Sequence, residues 1–284
     1  MNILTFDVEE WFHLLENAST RTEKEWNTYP VRIHENMDRI FDILERHGQK
    51  ATFFVLGWIA RRYPEVIRKI CDKGYDIGFH TTYHELVHQL TPEAFRRGLA
   101  EGLDYFQQAT GKKVLFFRAP GFSLTERCSW AFDVLAEMGI AYDSSVFPTG
   151  HAHGGYPSFP SHKPTLVKTN HGEIMEFPIS SAQVAGKSFV FSGGGYFRLF
   201  PYPIIKYYTN KADYVTSYLH PRDLDARQPM IKGLPLKRRF KSYVGLKTAA
   251  RKVEKWLRDF EFTDIRTAAS LIDWSQTPVL DLRN

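Results

Sequence analysis

Along most of this chain a short, mostly apolar run is followed by a stretch with apolar residues three or four apart, and then by another short apolar run. That alternation allows few folds. Strands buried on both faces and separated by amphipathic helices pair in parallel, giving an α/β fold that is either open or closed into a barrel. The candidate strands are 2–6, 51–56, 75–79, 114–117, 140–142, 173–179 and 214–219. Between them, Met37, Ile40, Phe41 and Leu44 share a helix face that stops at Gly48, and Val66, Ile67 and Ile70 share another over 64–73. Thr91-Pro92 starts a helix as cap and first-turn proline, with Phe95, Leu99, Leu103 and Phe106 inward up to Gly111. Thr125 is read as the cap of a further helix, with Trp130, Val134, Leu135 and Met138 inward and Gly139 as its stop. Residues 13–31 read as an irregular insertion. Residues 147–172, rich in Pro, Gly, His and Ser, read as a long loop whose His151 and His153 are either solvated or on a substrate rim. A length of 284 residues suits one domain over 1–284, with a basic helical segment at about 237–262.

The unusual polar residues fall where the candidate strands end: Asp7, His80, Arg118, Asp143 and His220. In parallel α/β barrels that face carries the active site. Each residue alone has a plainer reading, such as a solvated loop or a core histidine bonded to a carbonyl; five together argue for a site. His80 and His84, four apart around a strand end, can aim both imidazoles at one point, and neutral imidazole nitrogen suits zinc-type metals. Asp7, Glu9 and Glu10 crowd three carboxylates into four positions, which is costly unless a cation or a base role uses them. The glycine-rich Ser192–Arg198 lacks the Lys-Ser/Thr of a phosphate loop and is read as a tight turn near the site.

Thr5-Phe6-Asp7-Val8-Glu9, His80-x3-His84, Arg118-Ala119-Pro120 and Leu219-His220-Pro221, in this order, resemble the successive motifs of the polysaccharide deacetylases, carbohydrate esterase family 4. Asp7-Val8-Glu9-Glu10, Tyr142–Ser145, Ser192–Arg198 and Tyr218–Arg222 resemble its subgroup from bacterial exopolysaccharide and O-antigen synthesis loci. The resemblance covers about residues 1–270. It implies a distorted (β/α)7 barrel, a divalent metal, with Zn2+ expected, and hydrolysis of an N-acetyl group on an amino sugar. Carried over residue by residue, Asp7 is the general base, Arg118 pairs with and orients it, His220 is the general acid, and His80 and His84 hold the metal. Pro120, Ser144, Tyr196 and Arg222 are the expected substrate-binding residues. One departure matters: the second of two adjacent aspartates in the common pattern is Val8 here. The third ligand is therefore assigned to Glu9, with Glu10 as the alternative. A sugar N-deformylase, a metal-independent amide hydrolase and a non-catalytic carbohydrate-binding barrel are the competing functions.

The net charge of +5 permits an acidic partner or an anionic surface. Nine Lys and Arg fall between 237 and 258, among them Lys237, Arg238, Arg239 and Lys241, around a helical stripe of Val253, Trp256, Leu257 and Phe260. A docked helix with a solvated basic face is the plain reading, and peripheral contact with an anionic membrane the sharper one. Two cysteines without paired spacing, Cys71 and Cys128, read as buried free thiols in a reducing compartment. No signal peptide is read before the first strand, and the longest apolar run, Ala51 to Ala60, is too short to span a bilayer. The expectation is a cytoplasmic protein, at most peripheral to the inner membrane, with an N-acetylated carbohydrate and no nucleic acid as partner.

Overall fold

The computed structural model describes residues 1–15, 17–150, 153–184 and 187–283. The chain forms two compact units, one of Met1–Ala51 with Ser181–Thr263, the other of Thr52–Ser180 with Asp264–Asn284.

The second unit is built on strands Thr52–Val55, Asp76–Phe79, Phe116–Phe117, Tyr142–Asp143 and Gly172–Glu176, each parallel to the one before. Their registers pair Val55 with Phe79, Phe79 with Phe117, Phe117 with Asp143 and Asp143 with Glu176, so the strand ends are level. His80, Arg118 and Ser144, each the next residue, therefore leave the sheet along one edge. The connecting helices follow the apolar spacing. Pro92–Thr110 buries Phe95, Leu99 and Phe106; Thr91 Oγ1 accepts from Ala94 N at 3.2 Å, and Gly111 ends the helix at φ 68°. Each such buried side chain contributes about 1.5–3 kcal/mol. Gly102 brings this helix close to the sheet, because an added Cβ would lie 2.2 Å from the Phe79 ring.

Two expectations need correction here. Part of the long loop, Thr165–Thr169, is a strand antiparallel to Gly172–Glu176, and Val279–Asp281 runs parallel to it. Thr125 caps only a short 3-10 turn, Glu126–Cys128; the helix itself is Trp130–Glu137 and buries Ala131, Phe132, Val134 and Leu135, leaving Trp130 and Met138 half-buried. Both cysteines are free and buried.

In the first unit Asn2–Ile3 pairs in parallel with Val215–Thr216, and further parallel bridges join Phe6 to Leu219 and Gly193 to Tyr218. The strand Thr5–Val8 is buried throughout. Helix Ile33–His47 ends at Gly48, in the left-handed region at φ 61°, as its spacing requires. The insertion at 13–31 carries a 3-10 turn, Ala18–Thr20, and one helical turn, Glu23–Trp26. Ser192–Arg198 is not a turn: Gly194–Leu199 is helical. Gly193 is needed there because a Cβ would meet the Tyr218 carbonyl oxygen at 2.2 Å. The basic segment is two helices, Leu236–Tyr243 and Leu246–Asp259, parted by Gly245 at φ 71°. Val253, Trp256 and Leu257 are buried as expected, and Phe260 is the half-buried residue after the second helix.

Candidate active site

In the first unit the polar centre is built on Asp7, Glu9 and His220. Side chains alternate along a strand, so with Val8 fully buried on one side, Asp7 and Glu9 share the other. His220 Nε2 lies 3.8 Å from Glu9 Oε1 and 4.0 Å from Asp7 Oδ2.

His220 follows the bridge at Leu219 and starts a 3-10 turn with Pro221 in its first position. Asp223, three residues on, accepts from the His220 backbone amide at 3.0 Å and lies 2.9 Å from His220 Nδ1. A carboxylate can only accept, so Nδ1 carries hydrogen and Nε2 faces Asp7 and Glu9. Burial disfavours the imidazolium, but the charge and hydrogen bond of Asp223, followed by Glu9 and Asp7, outweigh it and push the His220 pKa up to about 9. Burial likewise opposes an ionised Asp223, yet Arg198 and His220 bring it down to about 2. Arg198 pairs with Asp223, Nε to Oδ1 at 2.8 Å, and both are almost fully buried. The motif comparison assigned no role to Arg198 or Asp223; the His-x2-Asp spacing was the available signal for Asp223.

Glu10, the alternative third ligand, is occupied elsewhere. Its carboxylate accepts from Arg32 N at 2.6 Å, Ile33 N at 2.8 Å and Trp11 N at 3.2 Å, and so caps the amino end of helix Ile33–His47. Burial raises its pKa to about 7 against those three bonds. Of the expected substrate-binding residues in this unit, Tyr196 is 43% exposed with its ring stacked on Phe200. Arg222 is buried, donates to the Ser242 carbonyl at 3.2 Å and lies against the Tyr243 ring.

In the second unit His80 and His84 are buried with ring centroids 5.5 Å apart. His80 Nδ1 is 2.7 Å from the Arg118 carbonyl oxygen. The carbonyl can only accept, so this bond fixes the hydrogen on Nδ1 and leaves Nε2 as the nitrogen with the lone pair, the tautomer that a metal-binding histidine needs. The turn between them is strained: Thr81 at φ 59° and His84 at φ 61° occupy the left-handed region without being glycine. It is held by Gly57 N and Trp58 N, which donate to the Thr81 and Thr82 carbonyls at 2.9 Å each, and by Thr82 Oγ1, which donates to Gly98 O at 2.9 Å.

Arg118 is fully buried beneath this turn, donating from Nε to Ser144 O at 2.9 Å and from a terminal nitrogen to Ser144 Oγ at 2.7 Å, with its guanidinium over Phe54. Ser144 Oγ in turn donates to Phe177 O at 2.7 Å, so this expected substrate residue spends its hydroxyl within the protein. Asp143 holds the loop at Ser145, accepting from its amide at 3.0 Å and its hydroxyl at 2.7 Å. Burial raises both Asp143 and its partner Glu176, and their mutual charge raises Glu176 further. Pro120 is buried in the turn Pro120–Phe122. His153 is half-buried, and His151 lies outside the described residues.

Glu9 in the first unit and His80 and His84 in the second are each buried donors of the kinds that a zinc-type ion takes.

Residues 4–142 match the family model of the polysaccharide deacetylases, and residues 144–270 match a domain of unknown function, DUF3473. A peptidoglycan-N-acetylglucosamine deacetylase of Bacillus cereus is 29% identical over 140 residues, 48% of this chain and 63% of that protein. The chain spans less than two thirds of the length of the curated relatives it matches first. A structure from Mycobacterium smegmatis assigned as a polysaccharide deacetylase superposes with a TM-score of 0.66 at 20% identity, covering 99% of this chain and 93% of the other. A carbohydrate esterase family 4 pseudoenzyme from Bacillus anthracis superposes with a TM-score of 0.51 at 13% identity, covering 100% and 69%. These likenesses establish an α/β fold of the (β/α)7-barrel type. A pseudoenzyme with this fold means that the fold alone does not decide activity.

Proposed function

We propose that this chain, whose residues 4–142 match the polysaccharide deacetylase model, is a divalent-metal-dependent hydrolase of that family. In this reading it removes an N-acetyl group from an amino sugar of a bacterial surface polysaccharide or its precursor. The observation that carries the reading is the histidine poised over two carboxylates: His220 Nε2 faces Asp7 and Glu9 while Asp223 holds its other nitrogen.

Amide hydrolysis needs a deprotonated water, a place for charge on the carbonyl oxygen, and a proton for the departing nitrogen. Glu9, His80 and His84 are the residues we assign to holding the metal. A divalent ion bound there would polarise the acetyl carbonyl and acidify water. Asp7 accepts the proton of the attacking water as general base, with Arg118 assigned to keep it ionised and aimed. His220 gives the Nε2 proton to the sugar nitrogen as the carbon–nitrogen bond breaks, while Asp223 keeps the ring aligned throughout. Tyr196, the exposed ring of the set, is a surface on which a sugar could stack. The likeness to a peptidoglycan deacetylase supports an acetylated glycan as the substrate class.

Acetate release from N-acetylated amino sugars and their oligomers tests this. Turnover should stop on chelation, return with Zn2+ or Co2+, and be absent in Glu9→Ala and His80→Ala. Release of formate from N-formyl sugars without acetate release would transfer the assignment to an N-deformylase. Full turnover by protein shown metal-free by elemental analysis would remove the metal from the account.

A further inference from the structure

The helix Leu236–Tyr243 is attached to its unit in an unusual way. None of its side chains is buried. It is held instead by its carboxyl end: Arg198 donates to the carbonyls of Lys241 at 3.0 Å, Ser242 at 2.8 Å and Val244 at 3.1 Å, and Arg222 donates to Ser242 O at 3.2 Å. Two buried guanidinium groups satisfy the last carbonyls and oppose the negative end of the helix dipole. A helix of this length is marginal in water without such help. Because the anchor uses backbone oxygens, Leu236, Lys237, Arg239, Phe240 and Lys241 stay outside. Leu236 is 83% and Phe240 58% exposed, and four residues apart they lie on one ridge. Lys237, Arg239 and Lys241 are exposed around them, and the helix carries no acidic residue. Met230, 54% exposed, adds an apolar side chain beside Arg239, whose guanidinium lies 3.6 Å from its sulfur.

The next helix, Leu246–Asp259, does not share this character. Its apolar stripe is buried, Lys252 donates to the carbonyls of Phe197, Arg198 and Phe200, and Arg258 is bonded to Asp259. The basic segment thus divides into a helix that packs and a helix that presents. Exposed apolar residues ringed by cations suit a surface that is oily within and negative at its boundary, which is an anionic bilayer. No helix among the described residues is long and apolar enough to cross a membrane.

We propose that Leu236–Tyr243 docks this protein on an anionic lipid surface, with Leu236 and Phe240 entering the headgroup boundary and Lys237, Arg239 and Lys241 against the lipid phosphates. The proposal is independent of the reaction assigned above. Flotation of the full chain with vesicles of phosphatidylglycerol and phosphatidylcholine, against phosphatidylcholine alone, tests it. The protein should float with the anionic vesicles at low salt, be released at high salt, and stay behind with neutral vesicles. Lys237→Gln, Arg239→Gln and Lys241→Gln combined should weaken partitioning roughly a hundredfold. Leu236→Ser with Phe240→Ser should abolish the binding that survives moderate salt, with the thermal midpoint unchanged because neither side chain is buried. Wild-type protein that ignores anionic vesicles at low salt overturns the proposal, as do variants that bind like wild type. Self-association lost in Phe240→Ser, without vesicle binding, also overturns it and assigns the face to a second copy of the chain.

Discussion

Asp223 on its far nitrogen raises the His220 pKa to about 9, so His220 holds the proton that the proposed general acid must give. His220→Ala should lower kcat by roughly 10²–10⁴-fold while leaving the fold intact, as steady-state kinetics and a thermal melt would show together. Asp223→Asn should behave differently, because Asp223 also neutralises buried Arg198. Leaving that guanidinium unpaired should cost about 3–5 kcal/mol of stability, read by denaturant unfolding. If Asp223→Asn unfolds like wild type, the ion pair does not stabilise the fold as described. Asp7, His80 and His220 were legible in the sequence because each ends an apolar run. Arg198 and Glu10 were not, because their partners are distant along the chain: Glu10 caps a helix whose first amides lie 22 residues away. No local pattern distinguishes a carboxylate that caps from one that binds metal.

At the scale of elements, the turn 80–84 depends on how closely the helix behind it approaches. Gly102→Ala should drive a methyl into the Phe79 ring, the residue before His80, and destabilise the protein by about 1–3 kcal/mol. Unfolding free energy from chemical denaturation checks this, and an unchanged value would show that the helix can shift without cost. The level strand ends place a second device in the same unit, the buried pair Asp143 and Glu176. Glu176 keeps its proton well above the ordinary 4.5 because of burial and then the Asp143 charge. A carboxyl whose folded pKa is raised supplies its full stability below the unfolded value and loses it as pH rises through the folded one. The thermal midpoint should therefore fall as pH is raised from about 5, and Glu176→Gln, which keeps a hydrogen-bond donor without the proton, should flatten that fall. Equal slopes for the two proteins would rule out Glu176 as the source. Caps such as Thr91 and the stops at Gly48 and Gly111 were readable because each has a local steric or hydrogen-bonding cause. Thr165–Thr169 was not, since a hairpin strand set among prolines and glycines is fixed by its pairing with Gly172–Glu176 and not by composition. The Ser192–Arg198 stretch misled for the related reason that its glycines serve close contact with Tyr218, a neighbour remote in sequence.

For the whole molecule, the alternation of apolar runs and amphipathic stretches was enough to read an α/β fold with parallel strands, because only that arrangement buries both faces of such strands. The division of labour between the two halves was less visible. The proposed base and ligands fall within residues 4–142, whereas His220, Asp223 and Arg198 fall within 144–270, the part that matches the model of a domain of unknown function. The central claim is that these residues together hydrolyse an N-acetyl amide with Asp7 as the base. The most direct measurement is acetate release from an N-acetylated amino-sugar oligomer by metal-loaded wild type and Asp7→Asn, with the metal content of each determined alongside. The account predicts equal metal content and turnover in Asp7→Asn reduced by roughly 10²–10⁴-fold. Equal turnover by the two proteins, or no acetate release by metal-loaded wild type from any acetylated sugar tried, would contradict it.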